Sequence, residues 1–400
     1  MSDFQFDPAV LTEIADRAAG YDLANEFCLA DIAALRESGY LRTAAPTSLG
    51  GSATTLLAQT RLQRQLAAAS PATALAANMH QVWAQITAWL NNREIAGADG
   101  LLADIAAGEI AAFGISEPGN EAVLLDSKTT AEPTDDGYLI SGTKIFTTLS
   151  PVWSRLGVHA KITSGPDKGK LVFGVIRRGD TAGKELSARG QEAGSDGLAG
   201  GSITHPGEWN TLGMRATHSY TTELHDVPLK NSDVITVCEP GDGANPLVFA
   251  IFTNFSLLTA SVYLGVADRA LELAAASLNR SRVTMAGETV LPLDNPTLQT
   301  RFVEAQLAHR AAVNSVELLA AESDAQAARP AWFVDLAAAK NQAVASAQHA
   351  VTAAIAVSGA AAYRADSELS RLYRDVLAGS FHPSSLASLG NMVAGLARDS

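Results

Sequence analysis

Arg371-Leu372-Tyr373-Arg374-Asp375-Val376-Leu377-Ala378-Gly379-Ser380-Phe381-His382-Pro383 is the stretch whose reading decides the fold. Its first half puts an Arg-Asp pair on a helical run, and its second half is a loop that ends on His382 and Pro383. Proline carries no titratable group, so any acid or base chemistry at this corner falls to the histidine. Outward from this stretch, the helical period spans the chain after Pro246, with segments near 246–280, 296–327, 331–362 and 366–399. Four such helices predict a C-terminal bundle over 239–400. Ahead of it, residues 111–238 read as a β-domain, with runs such as Gly137–Gly142 and Lys170–Ile176 between Gly, Pro and Asp turns. Residues 1–110 read as an α-helical N-terminal domain punctuated at Gly20, Gly39, Gly50-Gly51, Pro71 and Gly97. The fold class is α+β. The Gly-rich, apolar-poor segment from Asp180 to His205 reads as a long loop and a candidate lid, and equally as plain surface chain.

A chain of 400 residues, 47% hydrophobic and 18% charged, can bury a large core. A net charge of −13 without any Lys/Arg block opposes a nucleic-acid role, because a phosphate backbone demands clustered positive charge. Cys28 and Cys238 form neither a CxxC pair nor a His-flanked spacing, which argues against a disulfide framework and a metal site and fits a reducing cytoplasm. Asp3 and Asp7 stand where a signal peptide needs basic residues, so export is not expected. The uncharged run 243–267 is long enough to cross a bilayer. Polar residues such as Asn245, Asn254 and Ser256 interrupt it and basic flanks are missing, so it reads as the centre of a bundle rather than a membrane span. Neither a G-x-S-x-G elbow, an H-E-x-x-H, a P-loop nor a strand-to-helix G-x-G-x-x-G occurs.

Four further motifs, in order, carry a family resemblance. Phe113-Gly114-Ile115-Ser116-Glu117-Pro118-Gly119 is followed by Gly142-Thr143-Lys144-Ile145-Phe146-Thr147-Thr148. Then come Leu212-Gly213-Met214-Arg215-Ala216-Thr217 with Asp226-Val227-Pro228, and Gly265-Val266-Ala267-Asp268-Arg269-Ala270-Leu271. This set, with the order helical, β, helical, resembles the acyl-CoA dehydrogenase superfamily over nearly the whole chain. The resemblance implies a flavin, FAD or FMN, held near Phe113, Ser116, Phe146 and Thr148, with Phe146 against the ring and Thr148 near its N5. Pleat alternation would send Phe146 and Thr148 to one face, although an ordinary hairpin with a buried Phe would carry the same pattern. It also implies that Arg280, or Arg282 in its place, and the Gly359 turn meet a neighbour's cofactor in a homotetramer, with the Ala-rich segment 337–362 as packing surface.

The departures are chemical. In the family a Glu removes the substrate's α-proton from the position held here by Pro383, and some members place that base on the first C-terminal helix, at Phe255. Gly119-Asn120-Glu121-Ala122-Val123 departs from the run expected against a CoA arm, and Gly359-Ala360-Ala361-Ala362 from the Gly-Gly-x-Gly turn. Loss of a general base removes a contribution of about a hundredfold to ten-thousandfold. The resemblance therefore runs to the superfamily's two-component monooxygenases, such as dibenzothiophene monooxygenase, the hydroxyphenylacetate hydroxylase oxygenase and amino-sugar N-oxygenases. Members of that branch carry a His after the Arg-Asp helix and another on an N-terminal helix, which here are His382 and His80. A flavin C4a-hydroperoxide requires a dry pocket and hydrogen-bond donors, and a neutral His can take the substrate's proton. Thr148, His80 and His382 are the catalytic candidates, although a His on an apolar helix also serves as a satisfied core residue. O2, a small-molecule substrate and a separate flavin reductase are the implied partners. An acyl-CoA dehydrogenase or oxidase with another base, and a non-catalytic scaffold, are the alternatives.

Overall fold

The computed structural model describes residues 4–188, 198, 200–280, 283–285 and 288–399. Arg282 and three of the glycines of the candidate lid, Gly190, Gly194 and Gly197, lie outside the described residues. The N-terminal helices are α1 (Pro8–Ala24), α2 (Leu29–Glu37), α3 (Leu56–Ala69), α4 (Pro71–Asn91) and α5 (Asp99–Ala107). Ser70 ends α3 and caps α4, where its Oγ accepts from the Thr73 N–H and Pro71 fills the first helical position. That is the expected use of a residue without an N–H. Helix α4 is buried almost all round, in keeping with its apolar composition.

The middle of the chain forms β1 (Ala111–Gly114), β2 (Thr130–Thr134), β3 (Gly137–Thr147), β4 (Arg155–Ile162), β5 (Leu171–Arg177), β6 (Ser202–Thr204), β7 (Tyr220–Lys230) and β8 (Val234–Cys238). They join in one sheet in the order β6-β7-β3-β2-β4-β5-β8, with β1 parallel to β4. Its own core holds Ala112, Ile140, Trp153, Leu156, Val158 and Leu229. The end of the candidate lid is not loop: β6 pairs with β7, while Arg36 of α2 donates to the carbonyls of Thr181 and Lys184.

After the sheet come α6 (Pro246–Arg280), a short hairpin of β9 (Val283–Met285) and β10 (Glu288–Val290), α7 (Pro296–Asp324), α8 (Trp332–Ser358), α9 (Glu368–Val376) and α10 (Leu386–Asp399). Helix α6 is long and apolar enough for a membrane, and 83% of its most apolar window is buried inside the protein. It packs on α3, α4, α7 and α8, so the two helical regions share one core running from Phe6 to Val376. The alanines of α8, among them Ala339, Ala343, Ala347, Ala350 and Ala354, are buried within the chain, and α8 packs on α6, α7 and α9. The opposite face of the segment, with Gln342, Ala345, His349 and Thr352, is exposed. The expected last helix, 366–399, is in fact two, because Pro383 cannot continue a helix and the chain passes through a single 3-10 turn, Leu377–Phe381.

Helix α9, the first half of the deciding stretch, fastens three regions. The Arg374 guanidinium pairs with the Asp22 carboxylate of α1 at 2.9 and 2.5 Å, and the buried Asp375 carboxylate accepts from the Met214 N–H at 2.5 Å. At Gly213 a Cβ would lie 2.3 Å from the Arg374 carbonyl oxygen, so only glycine lets that turn reach α9.

Candidate functional site

One wall of the site is built by the loop after β1. Ile145 N–H donates to the Ser116 carbonyl at 2.9 Å, laying the loop along β3. Glu117 is buried and accepts from Ser127 Oγ (2.7 Å), Lys128 N (2.7 Å), Thr129 N (3.0 Å) and Lys144 Nζ (2.7 Å). Burial pushes this carboxyl up, but Lys144 and the other donors outweigh it and hold it well below the usual carboxylate range. Burial also lowers Lys144, to about 8, against the pull of Glu117. The pair is ionised at neutral pH and acts as a rivet between the loop and β3. Sequence reasoning had given neither residue a role.

Phe146 and Thr148 do not lie on a regular strand, so pleat alternation does not set where they point. The ladder between β3 and β7 slips between Lys144 and Thr147, Phe146 has φ of +55°, and Thr148 N–H donates back to the Phe146 carbonyl at 2.9 Å. A bulge and a tight turn therefore break the strand at these residues. The Phe146 ring is 56% exposed, with Trp209 at its edge 6.4 Å away. Thr148 is buried at the head of a hydroxyl chain. Thr217 Oγ1 donates to the Met214 carbonyl (2.9 Å), Ser219 Oγ donates to Thr217 Oγ1 (2.9 Å), and Thr148 Oγ1 lies 2.7 Å from Ser219 Oγ. Between Thr148 and Ser219 either hydroxyl can donate, and the Thr148 hydroxyl also lies 3.5 Å from the Phe146 carbonyl.

The second wall is helical. Phe255 of α6 stacks on Phe113 of β1 at 5.4 Å, and Phe113 meets Trp83 of α4 at 5.7 Å. His382 lies edge-on to Phe255 at 6.4 Å. Its Nε2 is 2.7 Å from the buried Tyr263 hydroxyl, and its carbonyl accepts from the buried Lys340 Nζ at 2.6 Å. Burial and then the Lys340 charge lower the half-buried imidazole to about 3, so it is neutral at physiological pH. Phe255 and the His382–Pro383 corner, the two positions at which the family places its base, thus converge in space. Tyr263 and Lys340 escaped the sequence reading. The available signal was one phenol inside an uncharged apolar run and one lysine inside an Ala-rich helix.

His80 does not reach an open site. Its Nε2 donates to the Leu41 carbonyl (2.6 Å), and its Nδ1 accepts from the Ala111 N–H (3.0 Å). Both ring nitrogens are spent and the ring is buried, which corrects the catalytic expectation: His80 ties the turn after α2 to β1. Arg280 and Gly359 are exposed at the ends of α6 and α8. Asp375, the carboxylate of α9, is buried and committed to Met214, away from any open surface. Among the described residues no His, Cys, Asp and Glu gather in a group able to hold a metal.

Residues 257–385 match the acyl-CoA dehydrogenase C-terminal domain family. Isobutylamine N-hydroxylase of Streptomyces viridifaciens is 30% identical over 57% of this chain and 56% of that enzyme, so little more than half of that relative is matched. YdbM of Bacillus subtilis (strain 168), provisionally named an acyl-CoA dehydrogenase, is 26% identical over 94% of this chain and 91% of its own length. A structure of KijD3 in complex with FMN and dTDP-3-amino-2,3,6-trideoxy-4-keto-3-methyl-D-glucose superposes with a TM-score of 0.81 at 24% identity, covering 98% of this chain and 91% of that one. Residues 257–385 thus match the acyl-CoA dehydrogenase C-terminal domain, and the chain as a whole shares the acyl-CoA-dehydrogenase-like fold of these structures.

Proposed function

We propose that the chain is the oxygenase of a two-component flavin-dependent monooxygenase. It takes reduced FAD or FMN from a separate reductase and transfers one atom of O2 to a small nucleophilic substrate. The observation that carries this reading is the replacement of both family base positions, by Phe255 and Pro383, beside a histidine held neutral. The N-hydroxylase among the relatives and the FMN held by the KijD3 structure support it.

The residues present fit a flavin. An exposed aromatic held at positive φ is strained as well as solvated, an arrangement that persists where a ligand covers it. The Thr148 hydroxyl can give or take a hydrogen bond, which suits the N5 of a flavin. Ser116, with its carbonyl on Ile145, flanks the same wall. When bound, reduced flavin supplies the electrons that activate O2. Phe113, Phe255 and Trp83 exclude water, and His382 contributes a neutral imidazole.

The experiment mixes protein and reduced FMN with O2 in a stopped flow. Oxidised-flavin absorbance is expected to return after a lag that free FMN lacks, and acyl-CoAs are expected not to bleach protein-bound oxidised flavin anaerobically. Rapid anaerobic bleaching by an acyl-CoA, which demands α-proton abstraction and hydride transfer, refutes the oxygenase and favours a dehydrogenase. The proposal includes a homotetramer in which exposed Arg280 and Gly359 serve a neighbour's cofactor. A monomer at micromolar concentration in light scattering contradicts it.

A further inference from the structure

We infer that Tyr263 fixes His382 as the Nδ1–H tautomer and that Lys340 keeps it from taking a second proton, so that His382 serves the site as a hydrogen-bond donor and not as a base. This rests on the oxygenase reading for its consequence but not for its geometry. The Tyr263 hydroxyl is buried on α6 and its sole hydrogen-bond partner among the described residues is His382 Nε2, at 2.7 Å. Close packing holds it there, since a Cβ on Gly379 would already lie 3.0 Å from the Tyr263 ring. Burial raises this phenol well above its ordinary pKa, so it keeps its proton throughout the physiological range. A buried O–H left without an acceptor is costly, and a phenol donates far better than it accepts. The phenol therefore donates to Nε2, and the single proton of a neutral imidazole must sit on Nδ1.

Nδ1 has no partner among the described residues, and the half-buried ring leaves that edge available. A second proton would have to enter on Nε2, displacing the Tyr263 hydrogen bond in the field of a buried ammonium. Lys340 of α8 has no carboxylate partner among the described residues, and its Nζ donates to the carbonyls of His382 (2.6 Å) and Ser384 (3.2 Å). It thereby clamps both sides of Pro383 and sets a positive charge beside the ring. The titratable groups that bear on this ring are Tyr263 from α6, Lys340 from α8 and, through its field on Tyr263, Asp375 from α9. An imidazole in this state gives a hydrogen bond to a ligand oxygen and has no lone pair on its open edge. The substrate's proton must leave by another acceptor.

The test has two arms, and the first needs no cofactor. Solid-state 15N NMR of the full chain labelled at histidine, with His382→Ala for assignment among the eight histidines, reads the tautomer directly. At pH 7 the His382 signals are expected to show a protonated Nδ1 and a bare Nε2, and Tyr263→Phe is expected to populate the Nε2–H form. Lys340→Met is expected to raise the pH at which His382 takes a second proton. A protonated Nε2 in the wild type, or a tautomer unmoved by Tyr263→Phe, overturns the Tyr263 assignment; an unmoved titration in Lys340→Met overturns that of Lys340. The second arm follows flavin reoxidation. His382→Ala is expected to shorten the lag by about three- to tenfold, the worth of one hydrogen bond, while His382→Asn keeps most of it because its amide N–H can stand in for Nδ1–H. A collapse in His382→Asn as deep as in His382→Ala overturns the donor role. If His382→Ala leaves reoxidation unchanged while the NMR pattern holds, the oxygenase reading fails and the tautomer stands.

Discussion

His80→Ala separates a structural histidine from a catalytic one, because the two roles predict opposite patterns. The substitution orphans the Ala111 N–H and the Leu41 carbonyl, both on buried residues, at about 1–3 kcal/mol each for a group left unsatisfied. The void left by the ring adds to this, so the expected loss of stability at pH 7 is about 3–5 kcal/mol. The pH dependence sharpens the test. Burial lowers His80 to about 4 in the fold, against the pull of the Leu41 carbonyl, from 6.5 in the unfolded chain. Above pH 6.5 neither state is charged and its stabilisation is complete. Between 6.5 and 4 only the unfolded chain takes up the proton, so wild-type stability falls by about 1.4 kcal/mol per unit, and below 4 the loss is complete. The alanine variant has no such proton, so its deficit shrinks by about 2 kcal/mol between pH 7 and pH 5. Urea unfolding of both proteins at the two pH values, followed by tryptophan fluorescence, measures this. A deficit below about 1 kcal/mol at pH 7, or one that does not change with pH, refutes the structural assignment, and lost flavin chemistry at unchanged stability restores the catalytic one.

Two shorter predictions follow from close contacts. Gly213→Ala places a Cβ 2.3 Å from the Arg374 carbonyl and is expected to cost about 1–3 kcal/mol by prising the turn from α9, read as a fall in thermal midpoint. Phe146→Ala is expected to leave stability within about 0.5 kcal/mol, since the ring is mostly exposed, and to weaken FMN binding by about 1–3 kcal/mol in a fluorescence titration. Equal FMN affinity in this variant removes Phe146 from the site.

The limits of the long elements were legible because they are set locally. Pro246 opens α6, Ser70-Pro71 divides α3 from α4, and the helical period carries the rest. The break at Pro383 was equally local, and the loop read there interrupts what the helical period alone runs together as 366–399. What local reading could not supply was the partner. His80 is satisfied by residues 39 and 31 positions away, Tyr263 meets His382 across 119 positions, and Lys340 reaches the His382 carbonyl across 42. Such pairings are decided by how α4, α6 and α8 pack, not by the composition of any one segment. The Phe146–Thr148 turn failed for the opposite reason: the residues read as a regular strand, and a bulge, which leaves no mark in side-chain periodicity, broke it.

The electrostatics of the pocket argue against desaturation more strongly than the missing Glu alone. α-Proton abstraction needs an anion with access to substrate. Around His382 stand a neutral phenol, a neutral imidazole and an ammonium, from Tyr263, His382 and Lys340, while the ionised Glu117 of the other wall is buried and paired with Lys144. Asp375, the carboxylate of the deciding stretch, is sealed inside, accepts from Met214, and is pushed up to about 6 by burial despite Arg371 and Arg374. To act as the base it would have to abandon Met214 and the fastening between α9 and the turn at Gly213, disturbing the contact that positions the His382 loop. With Glu117 paired to Lys144 and Asp375 committed to Met214, neither carboxylate is free at this corner to take an α-proton, which supports the proposed oxygen transfer over desaturation.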